Sequence, residues 1–105
     1  MKAIIGNRRY DTDAKQTRDI ASASWSNPSD FHHYAETLYR TGHGRWFLAG
    51  RGGPLSRYGE PCEGGGMGGG AKIIPLGPDQ ALAWLASNGY DDEAEQWFAE
   101  EIQDA

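Results

Sequence analysis

The chain has 105 residues, 24% of them charged and 38% hydrophobic, with a formal net charge of −5. Such a length fits one domain that buries roughly 60–70% of its unfolded surface, so neither a disulfide nor a metal is required for folding. Cys62, the single cysteine, excludes an internal disulfide, no apolar run approaches the ~20 residues of a membrane span, and "MKAIIGNRRY" has no apolar stretch of the secretory kind, so a cytoplasmic protein is expected.

The charge is unevenly spread. Residues 1–72 carry ten basic and seven acidic residues, a net of +3, whereas residues 73–105 carry eight acidic residues and no basic one. An acidic surface repels nucleic acid and suits a basic partner. The same residues also read as an ordinary solvated helix face.

In chain order, "AIIGNRRY" predicts a hairpin, with Gly6-Asn7 supplying the turn. "DTDAK" is turn-like, because Asp and Thr side chains bond nearby backbone. "TRDIASASW" reads as a strand placing Thr17, Asp19, Ala21, Ala23 and Trp25 on one side, with a helix as the rival reading. "SNPSD" interrupts the chain at Pro28. "FHHYAETLYRTGHGRWFLAG" is the clearest β signal, rich in the aromatics that cover half-buried sheets. A three-residue loop ending at Gly44 sets Tyr39 opposite Phe47 and Leu38 opposite Leu48. Residues 50–71 read as a long irregular glycine-rich loop, and "AKIIPL" as a short strand ended by Pro75. Pro78 suits the first position of a helix, with Asp79 near its N-terminus, Leu82 and Leu85 on one face, Trp84 beside them and Gly89 as left-handed cap. A second helix opens on the Asp92–Glu95 capping pattern and aligns Ala94, Trp97, Phe98 and Ile102. The expected fold is α+β: a small antiparallel sheet of hairpins (1–49), a glycine-rich loop (50–71), and a strand with two packed C-terminal helices (72–105).

The stretch "CEGGGMGGGAK" tests the search for chemistry. Gly64, Gly66 and Gly69 satisfy the spacing of the dinucleotide fingerprint. That fingerprint works only between a strand and the helix whose N-terminus meets the pyrophosphate. Here a proline-containing loop precedes it and a strand follows, so the run reads as a connector. His32, His33, His43 and Cys62 lack the spacing of a zinc site. Cys62 with His33 and Asp30, or Ser56 with His43, has no nucleophile motif around it. No catalytic residue, cofactor or metal is therefore expected. Arg40, Arg45, Arg51 and Arg57 interleave with Tyr39, Trp46, Phe47 and Tyr58, a pattern that can hold phosphates and stack bases. Against this, the aromatics can be core and the arginines paired with Glu36 and Glu60.

The segment "ETLYRTGHGRWFLAGRGGPLSRYGE", followed by "KIIPLGPDQALAWL", is similar to a family of small proteins encoded by bacteriophages, plasmids and other mobile elements. The likeness runs from Tyr10 to Trp84 and brings no catalytic residues with it. Within such repertoires, small acidic domains without catalytic motifs resemble inhibitors of host defence, anti-CRISPR proteins above all. The resemblance implies a CRISPR-Cas effector complex as partner, multisubunit and of type I, in the bacterial cytoplasm, with target DNA binding blocked. Effectors hold nucleic acid in positively charged channels. The implied contact residues are Asp91, Asp92, Glu93, Glu95, Glu100, Glu101 and Asp104, as a DNA surrogate, with Tyr39 and Trp46 as a second contact if exposed. The alternative is a small nucleic-acid-binding accessory protein using the Arg/aromatic hairpin.

Overall fold

Gly6 and Asn7 adopt φ angles of 57° and 64°, the mirror-image turn that matches strand twist. They join β1 (Lys2–Ile5) to β2 (Arg8–Asp11) as an antiparallel hairpin. The computed structural model describes residues 1–25 and 31–105, so the expected break at Pro28 lies outside the described residues. A four-stranded antiparallel sheet follows, in the order β3 (Arg18–Trp25), β4 (Tyr34–Arg40), β5 (Trp46–Gly52) and β8 (Gly70–Leu76). Between its last two strands lies a short hairpin, β6 (Glu60–Pro61) and β7 (Met67–Gly68). The helices α1 (Pro78–Ser87) and α2 (Asp91–Phe98) close the chain, the second running into a 3-10 turn at Ala99–Glu101. The α+β expectation holds.

Register follows the loop. Thr41 N–H donates to the Arg45 carbonyl at 2.8 Å and Gly44 N–H to the Thr41 carbonyl at 3.0 Å. This three-residue loop sets Leu38 opposite Leu48 and Tyr39 opposite Phe47, as its length predicts. Period-two alternation then divides the sheet into two faces. Leu38, Trp46 and Leu48 face α1 and α2, where Ala81, Trp84, Leu85, Ala94 and Phe98 complete the main core. Phe47 and Ile73 face the other way and bury Tyr10 of the N-terminal hairpin. Full burial of a Leu or Phe side chain contributes about 1.5–3 kcal/mol, so the sheet is held from both sides.

Three expectations about the strands need correction. The third strand forms, but a bulge at Ile20 shifts its register, so Asp19 pairs with Tyr39 while Ala21 pairs with Leu38; the two no longer share a face. The irregular stretch is shorter than 50–71: β5 extends through Gly52, β8 begins at Gly70, and Cys62 and Gly66 continue the β6–β7 hairpin through a 3.0 Å bond. Gly64, Gly65 and Gly66 round its tip at φ of 86°, 105° and 78°, a conformation that side chains disfavour. Pro75 does not end its strand. It sits within β8, opposite Phe47, tolerated because β8 is an edge.

The helices start and stop by local rules. Pro78 opens α1, and the Gln80 side chain accepts the Gly77 N–H at 2.7 Å. At the far end Tyr90 N–H bonds the Leu85 carbonyl and Gly89 N–H the Ala86 carbonyl, the paired bonds of a glycine-terminated helix. The second helix is capped by Tyr90, so Asp92 and Glu95 lie inside it rather than forming a capping box. It also ends before Ile102, which is exposed outside the apolar stripe.

Candidate functional site

On the helix side of the sheet lie the acidic residues of the C-terminal segment. Asp91, Asp92, Glu95, Glu100, Glu101 and Asp104 are exposed, and Glu93 is half-buried. Asp91, Asp92 and Glu93 occupy the first turn of α2, next to its positive pole, and no basic residue lies in its last turn. The apolar side of α2 is anchored by Phe98 against Trp46, with ring centroids 5.1 Å apart. Arg18 and Arg40 cover Trp97, their guanidinium carbons 5.3 and 4.8 Å from its ring.

The aromatic contact expected of Tyr39 and Trp46 is not assembled. Trp46 is only 5% exposed and lies in the core beneath α2. Tyr39 stacks on Phe47 at 5.2 Å and is half-buried. Burial, with the charges of Asp19 and Asp13, holds its phenol above the ordinary value. Phe47 and Tyr58 are fully buried as well. The Arg/aromatic pattern is therefore mostly core, with Arg40 spread over Trp46 and Trp97.

Glu36 is the buried carboxylate that the sequence reading mentions only as a partner for an arginine. It is 5% exposed, on the helix face between Tyr34 and Leu38. Trp84 Nε1 donates to one of its oxygens at 2.6 Å and the Tyr58 hydroxyl to the other at 2.9 Å. Arg57 Nε stands 3.7 Å away, half-exposed. Burial, with the Glu36 charge beside it, pushes the Tyr58 phenol well above its ordinary value. Tyr58 reaches this position because Gly50 has no side chain: a Cβ there would lie 2.6 Å from the Tyr58 ring and hydroxyl. The turn 53–58 delivers it, with the Ser56 hydroxyl accepting the Tyr58 N–H at 3.1 Å. A burial this well satisfied ties strand, loop and helix together. Its signal in the sequence was a glutamate at an apolar-face position of a strand.

On the opposite side of the sheet the N-terminal hairpin and the 41–45 turn enclose a cleft of ≈ 670 Å³, lined by Arg8, Arg9, Lys15, His43 and Arg45. Of these, Arg45 was weighed as a phosphate contact and His43 as a metal ligand or base, whereas Arg8, Arg9 and Lys15 were read only as parts of the N-terminal hairpin and turn. The concentration of bases before residue 72 was the available signal.

The chemistry-bearing residues stay apart. His43 lies at one end of β5 and Ser56 beside the other, its hydroxyl bonded to the Gly53 carbonyl at 2.8 Å. Cys62 is exposed at the base of the β6–β7 turn, and Asp30 lies outside the described residues. Among the described residues, no three His, Cys, Asp or Glu side chains gather as metal ligands, and no helix is long and apolar enough to cross a membrane. No known protein family, curated protein or solved structure matches the chain.

Proposed function

We propose that this protein works by binding rather than turnover, as an inhibitor of the anti-CRISPR kind. Its acidic C-terminal segment occupies a basic nucleic-acid channel of a multisubunit CRISPR effector complex in the bacterial cytoplasm and keeps target DNA out. The observation that supports this reading is where the acids fall along α2. Asp91, Asp92 and Glu93 complement the helix dipole, but Glu100 and Glu101 follow its negative end, where the last turn contains no basic residue of its own. Carboxylates there oppose the dipole, so helix stability does not account for them. A basic partner surface does. The accessory nucleic-acid reading is less favoured, because Trp46, Phe47 and Tyr58 are buried and offer no stacking platform.

The test is a titration of purified effector complex with the protein, followed by target-DNA binding. Stoichiometric loss of DNA binding is expected, abolished by the combined variant Asp91→Lys, Asp92→Lys, Glu95→Lys and Glu100→Lys. Undiminished DNA binding in excess protein overturns the blocking mechanism. Full inhibition by the charge-reversed variant removes the C-terminal segment from the contact.

A further inference from the structure

The cleft on the hairpin side supports an inference separate from the acidic surface. Its basic residues come from three segments: Arg8 and Arg9 from β2, Lys15 from the following turn, and Arg45, with the His43 imidazole beside it, from the β4–β5 loop. Among the described residues Asp11 is the one carboxylate lining it, and the Asp11 Oδ1 already accepts the Asp13 N–H at 2.9 Å. The other basic residues near the helices are engaged, Arg57 with Glu36 and Arg18 and Arg40 with Trp97. Arg8, Arg9, Lys15 and Arg45 make no ion pair among the described residues. Four cations against the single carboxylate of Asp11 leave the lining net positive, and an anion relieves the remaining repulsion.

Two contacts tie the segments that line the cleft to the rest of the fold. Tyr10 packs edge-on against Phe47 at 5.5 Å, which seats β2 on the sheet. Gly42 of the hairpin loop lies against Gln16, so closely that a Cβ would stand 2.5 Å from the Gln16 Oε1. At ≈ 670 Å³ the space exceeds what one inorganic phosphate needs and falls within the roughly 300–1,000 Å³ of ordinary ligand sites. Arginine forks and a lysine suit phosphate oxygens in particular.

We propose that this cleft binds a ligand carrying consecutive phosphate groups, through Arg8, Arg9, Lys15 and Arg45. The phosphates can belong to a free polyphosphate tail, as in a nucleotide, or to a single-stranded nucleic-acid backbone. The site does not depend on the C-terminal acids or on the anti-CRISPR reading.

Two probes separate the sources: inorganic tripolyphosphate and a short oligothymidylate, each titrated into isotopically labelled protein at low ionic strength. Saturable amide shifts centred on residues 8–16 and 41–45 are expected with at least one probe. Tripolyphosphate binding alone assigns a free polyphosphate; oligothymidylate binding assigns a backbone. The variant Arg9→Ala with Arg45→Ala weakens binding about tenfold or more and lowers the slope of log affinity against log salt by about one for each cation that no longer meets a phosphate. A control, Arg51→Ala with Lys72→Ala, removes the same charge outside the cleft and leaves affinity within about twofold. No saturable shift with either probe overturns the proposal. Equal weakening by the two double variants does so too, because net charge alone then explains the binding.

Discussion

Trp84 donates its indole N–H to Glu36 across 2.6 Å, joining the first helix to the second strand of the main sheet. The same carboxylate takes the Tyr58 hydroxyl. Replacing Glu36 with Leu leaves both buried donors without an acceptor, and each such loss costs about 1–3 kcal/mol. Glu36→Leu is expected to lower unfolding stability by at least about 2 kcal/mol in urea denaturation. An unchanged midpoint would mean that water reaches both donors.

Alkaline pH should act through Tyr58. Its phenol is raised above the ordinary value by burial first and by the Glu36 charge second. The folded state therefore favours the neutral phenol. Its contribution is fully present below the unfolded value of about 10 and declines as pH rises past that point, because only the unfolded chain ionises readily. Stability measured from about pH 9 to 11 should fall, and Tyr58→Phe, less stable at neutral pH, should show a shallower decline. Equal slopes for the two proteins would remove Tyr58 from the effect.

Gly50 is required by closeness rather than by φ. A methyl group there meets the Tyr58 ring at 2.6 Å and the Ala35 carbonyl at 2.7 Å. Gly50→Ala is expected to cost about 1–3 kcal/mol through overpacking, or a fall in Tm of about 4–8 °C per kcal/mol for a domain of this size. A Tm within a degree or so of the parent would show that Tyr58 can retreat without loss.

Arg40 lies 4.8 Å from the Trp97 ring and 5.7 Å from that of Trp46. Arg40→Ala removes both interactions and is expected to cost about 0.5–2 kcal/mol. Arg40→Lys should recover only part of that loss, since a compact ammonium cannot lie flat on the indole. Full recovery by lysine would show that charge alone matters at this position.

The sequence made some of this plain and hid the rest for physical reasons. The pairing of Tyr39 with Phe47 was legible because a loop of fixed length sets the register of both strands. Pro78 and Gly89 marked the ends of the first helix by backbone chemistry that depends on no distant contact. The burial of Trp46 was not legible. Its exposure depends on Phe98, some fifty positions later, and nothing local announces that packing. Period-two alternation also misplaced Asp19, since one extra residue at Ile20 reverses every face before it. The hairpin tipped by Gly64–Gly66 has too few apolar residues to alternate, so it read as a loop. The basic cleft joins residues from two separate hairpins; the charge count foretold its sign but not its place.

Pro75 has one more effect. It stands in the outermost strand, which among the described residues of the sheet pairs with β5 on one side only. Unpaired strand edges invite a second chain to add itself. A residue with no N–H interrupts the row of donors that such an addition would need. The proline that was expected to stop the strand instead stops the sheet, discouraging growth by edge-to-edge aggregation.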